Sequence, residues 1–285
     1  MERACARLVG RLALRRRLGL GVWQASSGVQ PGSSAGPWRG TVAAGGGGWR
    51  DVSGSAQHIV SSPVPDIPLP SGNAAAYVLE NWKQWSNKTA LECAVSGRSY
   101  TYAQVVDAAA RWGGCLTALG LRKGDTLAVM MLNCPEYPLV VLGAIAVGVP
   151  VTVINSAYTS EEVCRHLRDS DASLVVHDDA TEKVVEAAIS LLQKPLRRIT
   201  NTDASPPAGV PSLRSLLQDS SLPLADPVEV IGTETALIPY SSGTTGNPKG
   251  VDVPHKALTS NVAIFSHPSF YSAKASTGTH AARTL

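Results

Sequence analysis

Acidic side chains are almost missing from the first fifty residues, where Glu2 stands alone against eight arginines. Of 25 basic and 22 acidic residues in all, the rest of the chain therefore holds 17 and 21, a net charge of −4. A mildly acidic body gives no reason to expect nucleic-acid binding. CxxC spacing is also missing. The five cysteines, Cys5, Cys93, Cys115, Cys134 and Cys164, are odd in number, which speaks against a disulfide framework. They read as small apolar residues buried in a reducing compartment. No unbroken apolar run follows the basic start, because Arg11 and Arg15–Arg17 interrupt it, so a secretory signal is excluded. The glycosylation triplet Asn87-Lys88-Thr89 then reads as chance. Internal repeats are absent. Charge is missing from Tyr137 to Ser160, 24 residues that are long enough to cross a bilayer. Pro150 falls inside that stretch, Gly143 and Gly148 loosen it, and β-branched residues cluster only after Gly148. A buried helix followed by a buried strand accounts for this pattern, and no membrane span is expected.

What the first fifty residues do contain resembles an address. Arg3, Arg7, Arg11 and Arg15 recur at four-residue spacing, so a helix would carry them along one side. Val9, Leu12, Leu14, Leu18 and Leu20 supply an apolar component, and Ser/Gly-rich sequence with four successive glycines, Gly45–Gly48, follows. Basic, acid-poor and amphipathic is the pattern of a mitochondrial transit peptide, which sets the expected localisation; the bland alternative is a disordered basic extension. Pro63, Pro65, Pro68 and Pro70 make residues 51–72 an extended segment. The folded part is expected over 73–265, with 266–285 a divergent tail.

From Asn73 onward helical and strand patterns alternate. Thr101 and Gln104 form a capping box that opens a helix to about Leu119, and Gly120 stops it. Asp125–Leu132 reads as a buried strand, Pro135 to about Val147 as an apolar helix, and Val149–Ile154 as a strand. Thr159 and Glu162 make a second capping box, for a helix ending near Ser170. Ser173–His177 is a strand, Thr181–Leu192 a helix, Arg197–Thr200 a short strand and Leu213–Leu217 a helical turn. Thr235–Tyr240 is a strand leading into a glycine-rich segment, and a helix follows from His255. This alternation predicts an α/β fold with a mainly parallel sheet and flanking helices.

The segment Tyr240-Ser-Ser-Gly-Thr-Thr-Gly-Asn-Pro-Lys-Gly-Val251 has the chemistry to hold a polyphosphate. Ser241, Ser242, Thr244 and Thr245 offer four hydroxyls to phosphate oxygens. Gly243, Gly246 and Gly250 lack a Cβ and let backbone N–H groups approach the anion. Pro248 bends the chain just before the ammonium of Lys249. A strand in front and a helix behind suit a phosphate site. The common nucleotide loop needs Gly-Lys-Ser/Thr in succession, and Pro248-Lys249-Gly250 breaks that pattern, so a phosphate-loop NTPase or kinase is contradicted. The dinucleotide fingerprint GxGxxG is absent at this site. A polar Ser/Thr/Gly linker would not supply the Pro-Lys-Gly ending or the apolar strand.

Tyr240–Val251 resembles the signature loop of the AMP-forming acyl-CoA synthetase, luciferase and adenylation-domain family. The likeness extends over about residues 73–265. Ser99-Tyr-Thr-Tyr-Ala-Gln-Val105 is similar to that family's LTYxEL segment, and Gly120-Leu-Arg-Lys-Gly-Asp125 to the turn after its first long helix. Gly143–Thr159, with Asn155 and Tyr158 before the Thr159-Ser-Glu-Glu cap, is similar to its GAxxxPxNPxYTxxE stretch. His255 and Asn261 fall where the family has them. Among subfamilies the likeness is greatest to 4-coumarate:CoA ligase-like and medium-chain acyl-CoA synthetases. The resemblance implies an acid–thiol ligase: a carboxylic acid and ATP give an acyl-adenylate and pyrophosphate, and coenzyme A then takes the acyl group. It implies Ser241, Ser242, Gly243, Thr244, Thr245, Gly246 and Lys249 as ATP-binding residues, with Mg²⁺ on the phosphates. No residue is singled out as catalytic or as a metal ligand. His255 reads as a helix-start or surface histidine, Asp178 and Asp179 as a strand-end cap and solvated turn, Arg122 and Lys123 as a solvated turn, and Trp82, Trp85 and Trp112 as packing residues.

In the family this loop lies midway along a much longer chain. No YGxTE segment, hinge aspartate or small C-terminal domain with its lysine follows here, and Ala282-Arg-Thr-Leu285 does not match the Ser-Lys-Leu peroxisomal ending. The expectation is a truncated form of the large N-terminal domain, inactive alone. The alternative is a non-catalytic or regulatory fragment that keeps part of the phosphate site. A fluorescent protein carrying residues 1–50 is expected to enter mitochondria; diffuse cytosolic fluorescence would count against the address.

Overall fold

The computed structural model describes residues 66–241 and 248–267; the basic leader, much of the glycine-rich loop and the tail lie outside that range. Regular structure begins with helix α1 (Ala74–Leu79), set by Asn73. The Asn73 Oδ1 accepts from the N–H groups of Ala75 and Ala76, while its Nδ2 donates to the carbonyls of Ala146 and Val228. One side chain thus caps a helix and ties it to two distant segments. A 3₁₀ turn (Trp82–Trp85) leads to an antiparallel hairpin of β1 (Thr89–Glu92) and β2 (Ser99–Thr101). The sequence pattern does not predict this hairpin, since its strands are too short to show alternation.

Helix α2 (Tyr102–Ala118) starts at the expected capping box: Thr101 Oγ1 accepts from the Gln104 N–H, and the Gln104 side chain accepts from the Thr101 N–H. Gly120 ends the turn with φ +85°, a conformation costly for any side chain with a Cβ. Then follow β3 (Thr126–Met130), α3 (Glu136–Ala146), β4 (Val151–Val153), α4 (Ser160–Asp169), β5 (Ala172–Asp178), α5 (Glu182–Leu191), β6 (Arg197–Asn201), α6 (Leu213–Gln218) and β7 (Thr235–Ile238). The second expected capping box, Thr159 with Glu162, opens α4. The uncharged stretch from Tyr137 is α3 followed by β4, and among the described residues no helix is long and apolar enough to cross a membrane.

The main sheet runs β10-β7-β4-β3-β5-β6, where β10 (Val253–Pro254) is an antiparallel edge and the other five strands are parallel. Every residue of β3 is buried, and alternate side chains serve two cores. Leu127 and Val129 pack with Trp112, Leu116, Leu139 and Leu213. Ala128 and Met130 pack on the other face with Val163, Leu167 and Val185. Helices therefore cover both faces, the arrangement that fully apolar parallel strands require. Of the three tryptophans read as packing residues, Trp112 is fully buried, whereas Trp85 is exposed. Of the described cysteines, Cys115 and Cys164 are buried and Cys93 and Cys134 partly so.

Two polar features hold the outer layer. The Glu136 carboxylate is wholly buried and pairs with Arg98 Nε at 2.6 Å and Arg214 Nε at 3.5 Å, while the Tyr100 hydroxyl donates to it at 2.9 Å. Burial pushes this carboxyl up, but the Tyr100 hydroxyl, a backbone N–H and the two guanidiniums outweigh it and hold it below the usual value. Lys123 is not a merely solvated turn residue: it pairs with Glu234 at 2.8 Å and donates to the Glu229 carbonyl at 3.1 Å. Asp178 is the strand-end cap expected, accepting from the N–H groups of Leu132 and Thr181.

Helices α2 and α3 cross with their backbones nearly touching. A Cβ on Gly143 would lie 2.4 Å from the Ala109 carbonyl oxygen and 3.0 Å from Trp112 Cδ1. The helix propensity that Gly143→Ala gains, up to ~1 kcal/mol, is smaller than the ~1–3 kcal/mol of overpacking against a backbone atom. The substitution is expected to lower stability by about 1–2 kcal/mol net, read as a lower urea midpoint; an unchanged or higher midpoint would show that the helices can separate freely.

Candidate functional site

The parallel strands all end at one edge of the sheet, the usual location for ligands in open α/β folds. The glycine-rich segment leaves from that edge. Strand β7 pairs with β4 as far as Ile238, opposite Thr152. Pro239 has no N–H and ends the pairing. The chain then forms β8 (Tyr240–Ser241) and β9 (Lys249–Gly250), an antiparallel stem with Tyr240 opposite Gly250 and Ser241 opposite Lys249. A further bond from the Val251 N–H to the Pro239 carbonyl, 2.9 Å, closes its base. Ser242, Gly243, Thr244, Thr245 and Gly246 lie outside the described residues. The structure thus brings Ser241 and Lys249 side by side, both exposed, and among the described residues no ion pair or hydrogen bond engages the Lys249 ammonium. The strand expected over Thr235–Tyr240 is really two, broken at Pro239 because the sheet pairing cannot continue through it.

Three residues without a site role in the sequence pattern support the stem. Tyr240 stacks on His166 of α4, with ring centroids 3.7 Å apart and planes 30° from parallel. Its hydroxyl donates to Asp169 Oδ2 at 2.5 Å. Thr152 Oγ1 donates to the Ile238 carbonyl at 2.8 Å, which uses its single proton. The 2.7 Å contact between Thr152 Oγ1 and His166 Nε2 is then a donation by the ring N–H. Nδ1 is left as the bare nitrogen, buried and without a hydrogen-bond partner among the described residues. Burial brings His166 down from 6.5 to about 4, so the ring is neutral at physiological pH. Gly250 completes the group: a Cβ there would lie 3.2 Å from the Tyr240 ring and 3.1 Å from Ile238. A cavity of about 270 Å³ opens beside them, lined by Tyr158, Glu162, Arg165, His166, Asp169, Tyr240 and Pro248. Glu162, His166 and Asp169 do stand at helical spacing in the sequence, the one signal that could have grouped them.

His255 opens helix α7 (His255–Ser266), as expected, but it is not a surface residue. It is 1% exposed, and its Nδ1 accepts the Ala74 N–H at 3.0 Å, so it joins α7 to α1. Among the described residues no group of three or more His, Cys, Asp or Glu side chains is placed to hold a metal ion.

A parallel sheet covered on both faces, with a Ser-Lys hairpin at its carboxyl edge, defines the class, the α/β fold of adenylate-forming enzymes. The chain belongs to the AMP-binding enzyme family, which matches residues 78–279. It is 33% identical over 207 residues to 4-coumarate–CoA ligase 3 of Arabidopsis thaliana, covering 72% of this chain and 36% of that protein. Among solved structures, the anthranilate CoA ligase AuaEII in complex with anthranoyl-AMP superposes with a TM-score of 0.61 at 26% identity, over 67% of this chain and 36% of that one. The red-emitting luciferase of Phrixothrix hirtus shares the fold, with a TM-score of 0.66 at 24% identity over 73% of this chain and 52% of that one. The chain therefore spans just over a third of the curated relative.

The buried histidines make the fold sensitive to acid. His166, His177 and His255 are all lowered by burial, while in the unfolded chain they titrate near 6.5. Below that pH the unfolded state binds more protons, so stability falls as pH drops from about 6.5 towards about 4. His166 alone contributes on the order of 2–4 kcal/mol to this loss when the descent is complete. Urea midpoints are expected to fall between pH 7.5 and 5, and less steeply in His166→Asn; equal midpoints at both pH values would contradict neutral burial.

Proposed function

We propose that this chain is an acid–thiol ligase of the acyl-CoA synthetase type, or the part of one that binds nucleotide phosphate. The carrying observation is Lys249, exposed and without a charge or hydrogen-bond partner among the described residues, beside Ser241 at the carboxyl edge of the sheet. An exposed cation and an exposed hydroxyl side by side fit a polyphosphate, since both can be desolvated onto its oxygens. Ser242, Gly243, Thr244, Thr245 and Gly246 complete the proposed ATP set with hydroxyls and unobstructed backbone N–H groups. Mg²⁺ would arrive bound to the phosphates.

In the reaction proposed, a carboxylate oxygen attacks the α-phosphorus of ATP and pyrophosphate leaves. The sulfur of coenzyme A then attacks the acyl carbon, and AMP leaves with the bonding pair. The residues on this hairpin would hold the departing phosphates and spread their charge, so their contribution is positioning and electrostatic stabilisation. Family membership and the ligase names of the relatives support this reading. The second reading is a non-catalytic chain that retains phosphate binding through Ser241 and Lys249. The basic leader supports delivery to mitochondria under either.

Lys249→Ala is expected to weaken binding of MgATP by about ten- to a hundredfold, as loss of a charged hydrogen bond implies. Titration calorimetry checks this, and unaltered affinity would remove the phosphate assignment. Pyrophosphate release that depends on both a carboxylic acid and CoA separates the two readings: turnover abolished by Lys249→Ala supports the ligase, and binding without turnover supports the non-catalytic chain.

A further inference from the structure

The phosphate-site reading leaves open what holds Lys249 in place, since the sheet itself cannot. Pairing between β4 and β7 ends at Thr152 and Ile238, and Pro239 removes the next donor. Beyond it the stem has two residue pairs and the Val251–Pro239 bond. A two-stranded hairpin of this length is marginal by itself. The side of the stem at Tyr240 opens on the 270 Å³ cavity, so the ring has room to swing away unless something retains it.

Helix α4 supplies the retention, and Thr152 transmits it. Thr152 is fully buried, and its hydroxyl joins three elements: its own strand β4, the Ile238 carbonyl at the end of β7, and His166 on α4. His166 is 3% exposed, so its imidazole is a fixed surface on which Tyr240 rests at 3.7 Å. Asp169, one turn further on, accepts a 2.5 Å hydrogen bond from the Tyr240 hydroxyl and fixes where the far end of the ring lies. Gly250 leaves no bulk between Tyr240 and the returning strand, so the position of the ring sets the path of Lys249-Gly250.

Resting on the phosphate-site reading above, we propose that Thr152, His166 and Asp169 are positioning residues for Lys249. They hold Tyr240 against α4, and Tyr240 holds the lysine-bearing strand in the register that presents its ammonium to phosphate. None of the three is proposed to touch the nucleotide. Their effect is therefore on the affinity for polyphosphate and not on the charge of the site.

The test reads Lys249 directly, through its protection by inorganic pyrophosphate from an amine-acetylating reagent, followed by mass spectrometry with exposed Lys88 as reference. Tyr240→Phe keeps the ring but loses the bond to Asp169; it is expected to raise the half-protecting pyrophosphate concentration about threefold with an unchanged melting temperature. In the Asp169→Ala background, which removes the acceptor, the same Tyr240→Phe change is expected to have no further effect, because the bond is already gone. This cycle cancels the direct electrostatic effect of removing the Asp169 charge. His166→Ala is expected to raise the concentration about tenfold; should that variant fail to fold, the Tyr240–Asp169 cycle decides. Tyr240→Phe without effect in the wild type, or with equal effect in both backgrounds, overturns the positioning role while phosphate binding stands. Absence of protection at Lys249 in the wild type overturns the phosphate site and this inference together.

Discussion

A strand with no exposed side organises this protein. All five residues of β3 are buried, and their side chains alternate between two cores, so neither face of the sheet can be left to solvent. That constraint requires helices on both faces, and parallel pairing with β4 and β5 places successive strand ends at one edge. The close crossing of α2 and α3 at Gly113 and Gly143 is the same constraint seen from outside, since a bulky residue there would lift a helix off the sheet. The hairpin that carries Lys249 inherits its location from this arrangement. It leaves the carboxyl edge because β7 joins the parallel set, and it departs from the sheet because Pro239 stops the pairing.

Polar side chains inside the fold serve to join elements that apolar packing alone would leave free to slide. Asn73 ties α1 to the end of α3, His255 ties α7 to α1, and Thr152 ties β4, β7 and α4 together. Thr152 and His255 are buried and Asn73 partly so, and each has specific partners, which is how such groups avoid the cost of desolvation. His166 Nδ1 differs: it is buried and has no hydrogen-bond partner among the described residues. A neutral imidazole tolerates this better than a charged one, consistent with its lowered pKa of about 4.

Much of the architecture was legible along the chain because its signals are local. Both capping boxes, at Thr101 and Thr159, span four residues and appear in the structure with their reciprocal bonds. The alternation of strands and helices from Asp125 to Asn201 was likewise readable, apart from shifts of one or two residues at the ends. The β1–β2 hairpin was not, because strands of four and three residues carry no usable period. The ion pair of Lys123 and the burial of His255 escaped the sequence for a similar reason: their partners, Glu234 and Ala74, lie 111 and 181 positions away.

By itself the sequence determined the α/β class, the family and the chemical inventory of the loop, since hydroxyls, glycines and a lysine in that order suit a polyphosphate wherever the chain places them. Tertiary structure alone decided which residues support that loop. Thr152, His166 and Asp169 come from a strand and a helix far upstream of Tyr240, and nothing in their local spacing points to it. Local propensity and motif chemistry are properties of neighbouring residues and can be read in one dimension. A contact across 71 residues, such as Tyr240 with Asp169, exists only after the two-sided burial of the sheet has brought α4 against the end of β7.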